Sequence, residues 1–291
     1  MLYRVIKRMF FNLICFASKD VRTSLENHST QLKKLSQTVD ILSKENIFLL
    51  NTCFYQDHWL SLAKDMHKGK RCFLLGCGPS INKIDLSRLE DEYTMGVNGI
   101  FLLDYIQLNY FVTVSHIFWK HYINELKSFK CDRRFIPSYL REFLESDSPT
   151  SWLTTIESDA YRRVEKQRPW FFSTQPDRYV TLGGTVIFVC LQILYHMGFS
   201  EVILLGIDHD YGIDEKKIDE LGVMVNSEDI EAHFKKGYYP KGGKIHIDLK
   251  GSLRAYHLAN EAYNLSGRKI INASPSTKLD IFPKVDYESL F

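Results

Sequence analysis

Several short stretches hold residue types that could grip a polar, phosphate-bearing ligand. In Gly76-Cys77-Gly78-Pro79-Ser80, two glycines permit close backbone approach, the proline stiffens the turn, and Ser80 can cap a helix and meet a phosphate or carboxylate. The loop lacks the Gly-Lys-Ser/Thr ending of a P-loop, and Asn82 stands where the third glycine of a dinucleotide fingerprint is expected. Asn98 closes an apolar run where a ribose-binding fold would carry an acid. Gly206-Ile207-Asp208-His209-Asp210 has the acid-x-acid spacing that can hold a divalent cation against a diphosphate. Without metal, Asp208 could instead fix a ribose or backbone amides. Gly183, Gly184 and Thr185 open a helix with glycines and a hydroxyl, and Asn272 begins a polar stretch to Ser276.

These stretches need elements to bring them together. Arg71–Leu75, Tyr93–Val97, Tyr110–Val114, Glu201–Leu205 and Lys269–Asn272 are short apolar runs that predict strands. Helices are predicted from Ser80, over Val186–Met197 with a stop at Gly198, and from about Ser252 to Leu265 with a stop at Gly267. The alternation implies an α/β, doubly wound, Rossmann-like and mostly parallel sheet over residues 68–291. In such a sheet ligands gather beyond the carboxyl ends of the strands, where the glycine loop, Asn98, Asp208 and Asn272 all map. From about 120 to 178 the chain is polar, aromatic-rich, aperiodic and broken by Pro137, Pro149, Pro169 and Pro176, which reads as an insertion or lid.

Residues 1–67 read as a separate helical segment. Leu2, Val5, Ile6, Met9, Phe10 and Leu13 fall at helical spacing with Arg4, Lys7 and Arg8 displaced from the stripe. That is the pattern of a basic amphipathic helix on an anionic membrane surface, and equally of a helix packed on its own domain. Leu25, Leu32 and Val39 share one heptad position and Leu35, Leu42 and Leu49 the other, so Leu25–Leu49 suits a short coiled coil that could join a homo-oligomer or fold back as a hairpin. The uncharged run from Met9 to Ser18 is far shorter than the roughly 20 residues of a membrane span. Six scattered cysteines form no CxxC pair, which suggests reduced thiols, and a formal charge of +2 points away from nucleic acid. The expected location is cytoplasmic, peripheral at the inner face of the cytoplasmic membrane.

The stretches Leu75–Ser80 with Ile84 and Asp85, Gly96–Asn98, Gly184-Thr185, Gly198–Asp208, His233-Phe234, Ile271–Ala273 and Phe282-Pro283 together resemble the MptE-like family. That family includes archaeal hydroxymethylpterin pyrophosphokinases and bacterial proteins tied to surface-glycan assembly. The resemblance runs from about Lys70 to the C-terminus. The same residues are similar to the Cst-type bacterial sialyltransferases, which use CMP-activated nonulosonic acids on a variant, GT-A-like nucleotide fold without needing metal. The resemblance implies a nucleotide site of Gly76, Cys77, Gly78, Pro79, Ser80, Asn98, Ser115, Gly183, Gly184, Thr185, Gly206, Asp208 and Asn272. Cys77 stands where that family has Asn, a second strand-end Asn of the family is replaced here by Ser115 or His116, and Tyr211 is the nearest counterpart, shifted by one residue, of the tyrosine that follows its Gly-Ile-Asp segment. The family's loop histidine, the catalytic base, corresponds in order and spacing to His246, with His233 as rival.

The expected activity is therefore transfer of a sialic acid-like or Kdo-like sugar from a CMP-sugar donor to a glycan or lipid-linked acceptor, with no cofactor required. One alternative is an ATP- and magnesium-dependent hydroxymethylpterin pyrophosphokinase with Asp208 and Asp210 as metal ligands. Another is a non-catalytic coiled-coil scaffold on a degenerate nucleotide fold.

Overall fold

The computed structural model describes residues 6, 26–35, 58–103, 105–144, 148–156, 171–210, 223–225, 233–235, 238, 244–246 and 248–291. The chain divides into two units, Met1–Phe54 and Tyr55–Phe291. In the first, residues 26–35 are an α-helix with every side chain exposed, Leu32 and Leu35 among them. Leu25, Val39, Leu42 and Leu49 lie outside the described residues, as does the stripe over residues 1–16 apart from the exposed Ile6. Among the described residues no helix is long and apolar enough to cross a membrane.

The second unit contains, in chain order, strands β1 (Arg71–Leu75), β2 (Tyr93–Val97), β3 (Tyr110–Val112), β4 (Arg133–Pro137), β5 (Thr150–Leu153), β6 (Thr155–Ile156), β7 (Val180–Thr181), β8 (Glu201–Leu205), β9 (Val223–Val225), β10 (Lys244–His246) and β11 (Lys269–Asn272). Its helices are α1 (His58–Leu62), α2 (His116–His121), α3 (Ile123–Ser128), α4 (Val186–His196) and α5 (Leu249–Leu265), with 3-10 turns between several strands. Seven strands form one parallel sheet in the order β11-β8-β1-β2-β3-β4-β5, so the fold is α/β and Rossmann-like. β6 pairs with β7 and β9 with β10 in separate two-stranded ribbons.

The central strands are apolar without interruption because both their faces are covered. Cys72, Leu74, Val202 and Leu204 point to one face, under α4 and α5. Phe73, Leu75, Ile203 and Leu205 alternate to the other, under Ile81, Leu86, Ile100 and Phe118. α4 is apolar almost all round because it is buried almost all round, and Thr185 caps it by accepting the Ile187 N–H at 3.3 Å. Gln192, the polar exception, accepts from Ser173 and Thr181 N–H at 3.1 Å and donates to Thr181 O at 2.8 Å, pinning β7 to the helix. α5 starts earlier than Ser252 because Asp248 is its cap, accepting the Gly251 N–H at 2.9 Å.

Two predicted boundaries need correction. The folded unit begins before residue 68: Leu60 and Ala63 are in the core, and His196 Nε2 lies 2.8 Å from Leu60 O. The stretch from about 120 to 178 is no single insertion either, because β4 and β5 extend the main sheet within it. Arg134 hides β4 from a hydropathy reading. Its fully buried guanidinium donates to Leu126 O at 2.7 Å and to Thr150 Oγ1 at 2.9 and 3.2 Å, and burial lowers its proton affinity. Residues 157–170, the centre of the expected lid, lie outside the described residues. The helix expected from Ser80 is a 3-10 turn, Pro79–Lys83.

Candidate functional site

β1 leads outward through β2 to β5 on one side, while β8 and β11 return on the other, so the strand order reverses between β1 and β8. Outside the carboxyl ends of strands at such a point the loops diverge and leave a crevice. Here the loops after β1, β2 and β8 meet the start of α4 around a cleft of about 110 Å³. Of the residues singled out in the sequence, Gly76, Cys77, Gly78, Asn98, Thr185, Gly206, Asp208, Asp210 and His233 line it. Ile207, His209 and Tyr256 line it too and were not singled out.

The β1 and β8 loops are stitched together. Gly76 N–H donates to Leu205 O at 2.7 Å and Gly78 N–H to Gly206 O at 2.8 Å. Ser80 gives its N–H to Asp208 Oδ2 at 2.9 Å and its hydroxyl to Oδ1. The glycines are there for this seam: a Cβ on Gly76 would lie 2.5 Å from Gly206 O, and one on Gly78 2.6 Å from Asp208 Oδ2. Pro79 and Ser80 therefore sit behind the cleft, and the N–H groups of Gly76, Gly78 and Ser80 are engaged inside the protein.

The β11 loop holds the β8 loop from below. Buried Asn272 donates to Thr277 Oγ1 at 3.1 Å, Thr277 donates to Ile207 O at 2.9 Å, Ile207 N–H donates to Ser274 Oγ at 2.9 Å, and Lys278 N–H to Asp208 O at 2.9 Å. Asn272 thus reaches the cleft through the Ile207–Asp208 backbone and does not line it. Gly183 and Gly184, at φ +58° and +73°, do not line it either. A Cβ on Gly183 would lie 2.3 Å from the Phe188 ring, and Gly184 abuts Asp248, so this turn serves the packing of α4 on α5. Ser115 accepts the Phe118 N–H at 3.3 Å and caps α2.

Two residues in the cleft wall are strained. Asn98 has φ +46° and His209 φ +52°, left-handed values that cost free energy for a side chain with a Cβ. Asn98 Oδ1 accepts from Thr113 at 3.0 Å, which leaves Nδ2 without a protein partner among the described residues. His209 packs edge-on to Tyr256 with ring centroids 6.0 Å apart, and neither ring nitrogen makes a hydrogen bond among the described residues. Burial lowers its proton affinity. Asp210 meets Lys278 at 2.6 Å.

On the opposite side His233 lines the cleft, with Phe234 and Tyr238 against the loops after β1 and β2. Phe234 N–H donates to Cys77 O at 2.9 Å, and Gly99 N–H donates to the Tyr238 hydroxyl at 2.8 Å. The Tyr238 ring lies so close that a Cβ on Gly99 would sit 2.2 Å from it. His233 stacks on Tyr238 at 4.1 Å, and burial pushes its pKa down to about 4, so it is neutral at pH 7. The Cys77 thiol donates to Val97 O at 3.2 Å and is pushed up to about 11 by burial, which keeps it protonated and unreactive.

Tyr211 and the His246 side chain lie outside the described residues; the His246 backbone is the end of β10, paired with Val223. Among the described residues no group of three His, Cys, Asp or Glu side chains is placed to hold a metal ion. His209 escaped the sequence reading because its flanking acids drew the attention and nothing local announces a left-handed histidine. Tyr256 escaped because it reads as part of the apolar face of α5. No protein-family model and no curated protein matches the chain.

Proposed function

We infer that the cleft binds a nucleotide-activated sugar and that the protein is a glycosyltransferase. The observation that carries this reading is the pair Asn98 and His209, which hold strained backbones and unpartnered polar side-chain atoms at the carboxyl ends of β2 and β8, on either side of the switch point. Such strain persists where surrounding structure holds it for a use. The donor is CMP linked to a sialic acid-like or Kdo-like sugar, the acceptor a glycan or lipid-linked saccharide, and the fold a GT-A-like variant.

In an inverting transfer the acceptor hydroxyl attacks the anomeric carbon, CMP departs with the bonding pair, and a base takes the hydroxyl proton. His233, held near pKa 4, is neutral but too weak a base to keep that proton at pH 7. This favours His246 for the step, with Tyr211 as a further catalytic residue. Residues 1–16 then bring the enzyme to the inner membrane face where lipid-linked acceptors reside, and the Leu25–Leu49 repeat joins copies.

One observation keeps the pyrophosphokinase reading in contention: Asp208 and Asp210 both line the cleft. Thermal unfolding with CMP, CDP, UDP, GDP and ATP, each with and without magnesium, separates the two. Metal-independent stabilisation by cytidine nucleotides is expected. Stabilisation by ATP alone, and only with magnesium, would replace the transferase with the kinase.

A further inference from the structure

Among the described residues Asp65, Asn98, His209 and Ser276 carry side chains on left-handed backbone. For all but one the fold supplies a reason. Asp65 gives its N–H to His196 O at 2.9 Å and pairs with Arg268 at 3.6 Å, Asn98 accepts from Thr113 at 3.0 Å, and Ser276 lies exposed in a turn. His209 is half-buried at φ +52°, and its ring nitrogens make no hydrogen bond among the described residues.

The turn at His209 is imposed from both sides. Asp208 takes the Ser80 N–H at 2.9 Å and the Ser80 hydroxyl, and its carbonyl takes the Lys278 N–H at 2.9 Å. Asp210 pairs with the Lys278 ammonium at 2.6 Å. One lysine thus brackets the histidine, by its backbone on one side and by its side chain on the other. Strain of this kind persists where the surroundings over-determine it. Both acids of Asp208-His209-Asp210 help to hold the turn, and what the turn holds in the cleft wall is the imidazole. The ring packs edge-on to Tyr256 with centroids 6.0 Å apart, and both residues line the cleft. That contact orients the ring and supplies it no hydrogen-bond partner. Burial keeps the imidazole neutral at pH 7, so one nitrogen donates and the other accepts.

We propose that His209 is the residue through which the β8 loop touches the bound nucleotide, its N–H on a phosphate or ribose oxygen. This assignment rests on the nucleotide reading above and names the side chain that makes the contact. The test is calorimetric titration of the full chain with cytidine monophosphate and with cytidine, alongside thermal unfolding, for the parent, His209→Phe and His209→Gly. His209→Phe keeps a ring against Tyr256 and removes the nitrogens, whereas His209→Gly removes the ring and relieves the left-handed strain. Both variants are expected to fold and to bind the monophosphate about 10-fold more weakly, the loss of one hydrogen bond. A loss for the monophosphate with cytidine unchanged puts the N–H on the phosphate, and a loss for both puts it on the ribose. If the parent prefers ATP, then ATP and adenosine replace the pair. Affinity within about twofold of the parent in either folded variant overturns the assignment and leaves the nucleotide reading standing. Failure of both variants to fold overturns it too, because the ring is then a structural part of the loop. A parent that binds no nucleotide, in EDTA or in magnesium, removes the nucleotide reading itself and the His209 assignment with it.

Discussion

The two walls of the cleft are built differently. On the β8 side, Ile207 to Asp210 is held from beneath by Asn272, Ser274, Thr277 and Lys278 and from the side by the glycine loop, each through short-range bonds between strand ends of one sheet. On the β2 side, Gly99 is met by Tyr238, which also reaches Cys77 of the glycine loop as Phe234 does; both belong to the long excursion between β8 and α5. The first wall is inherited from the sheet and can be disturbed only by disturbing the core. The second is clipped on through Phe234, whose O also accepts from Asn82 Nδ2 at 2.8 Å, and through the buried Tyr238, whose O accepts from the Tyr122 hydroxyl at 3.0 Å. A rigid wall that presents strained residues, beside a wall that released separately, would preorganise a site and still admit its ligand.

The largest expected effect is on the rigid wall. Gly78 has φ −69°, a value any residue accepts, so the objection to Gly78→Ala is purely steric. The new Cβ would meet Asp208 Oδ2 at 2.6 Å and Gly206 O at 2.7 Å, and the second of these is backbone in the middle of the fold. Forcing the β1 and β8 loops apart also loosens the Ser80–Asp208 bonds. A loss of about 3–4 kcal/mol in unfolding free energy is expected, combining overpacking with lost hydrogen bonds. Urea denaturation measures it. A variant within about 0.5 kcal/mol of the parent would show that the seam yields freely and that the walls do not differ as described.

Acid should act first on the clipped wall. His233 has a folded pKa of about 4 against an ordinary 6.5, so the folded state binds its proton more weakly than the unfolded state does. Its contribution is therefore fully present above about pH 6.5, declines as pH falls toward 4, and reaches a loss of at most about 3 kcal/mol below that. His209, also lowered by burial, adds a loss of the same sign. If the clipped wall releases alone, protease sensitivity around Lys235 rises between pH 6.5 and 4 while global unfolding shifts less. Sensitivity that rises only together with global unfolding would make both walls one cooperative unit. His233→Phe is expected to flatten this dependence.

How much of this was legible in the sequence follows the same division. β1, β2, β8 and β11 could be read because strands buried on both faces are unbroken apolar runs with glycine or asparagine at their ends. β4 and β5 could not, since a buried arginine and the polar Thr150 and Ser151 hide the pattern, and their pairing is decided by the sheet and not by the segment. Within the cleft, Asp208 was visible as an acid at a strand end. Its partner Ser80 lies 128 residues away, and the bond makes both of them parts of the seam, Ser80 behind the cleft and Asp208 at its edge. Gly183 and Gly184 were read as ligand glycines because a sequence shows that a Cβ is absent and not what would have met it; the answer is Phe188 and Asp248. The left-handed backbones of Asn98 and His209 carry no local signal of that kind, because tertiary bonds impose them.

The smallest effect sharpens the comparison most. Tyr238→Phe keeps the ring, its stacking on Phe118 and His233, and its fit against Gly99, and removes only the hydroxyl that accepts the Gly99 N–H at 2.8 Å and faces Cys77 Sγ at 3.5 Å. The cost expected is about 1–2 kcal/mol, since the Gly99 N–H stays buried without an acceptor. What matters is where that cost falls. If the wall is clipped on, its release already precedes global unfolding, so losing one clip raises hydrogen exchange at Gly99 and Phe234 by about tenfold while the unfolding midpoint barely moves. If the excursion is instead part of the core, the same cost appears in full in the unfolding free energy and exchange at the two sites follows it. The experiment compares exchange at Gly99 with exchange at Gly78 in the same variant, because Gly78 N–H on Gly206 O belongs to the rigid wall. Selective acceleration at Gly99 means that the cleft opens on one side only, by the movement of Phe234 and Tyr238 away from β1 and β2.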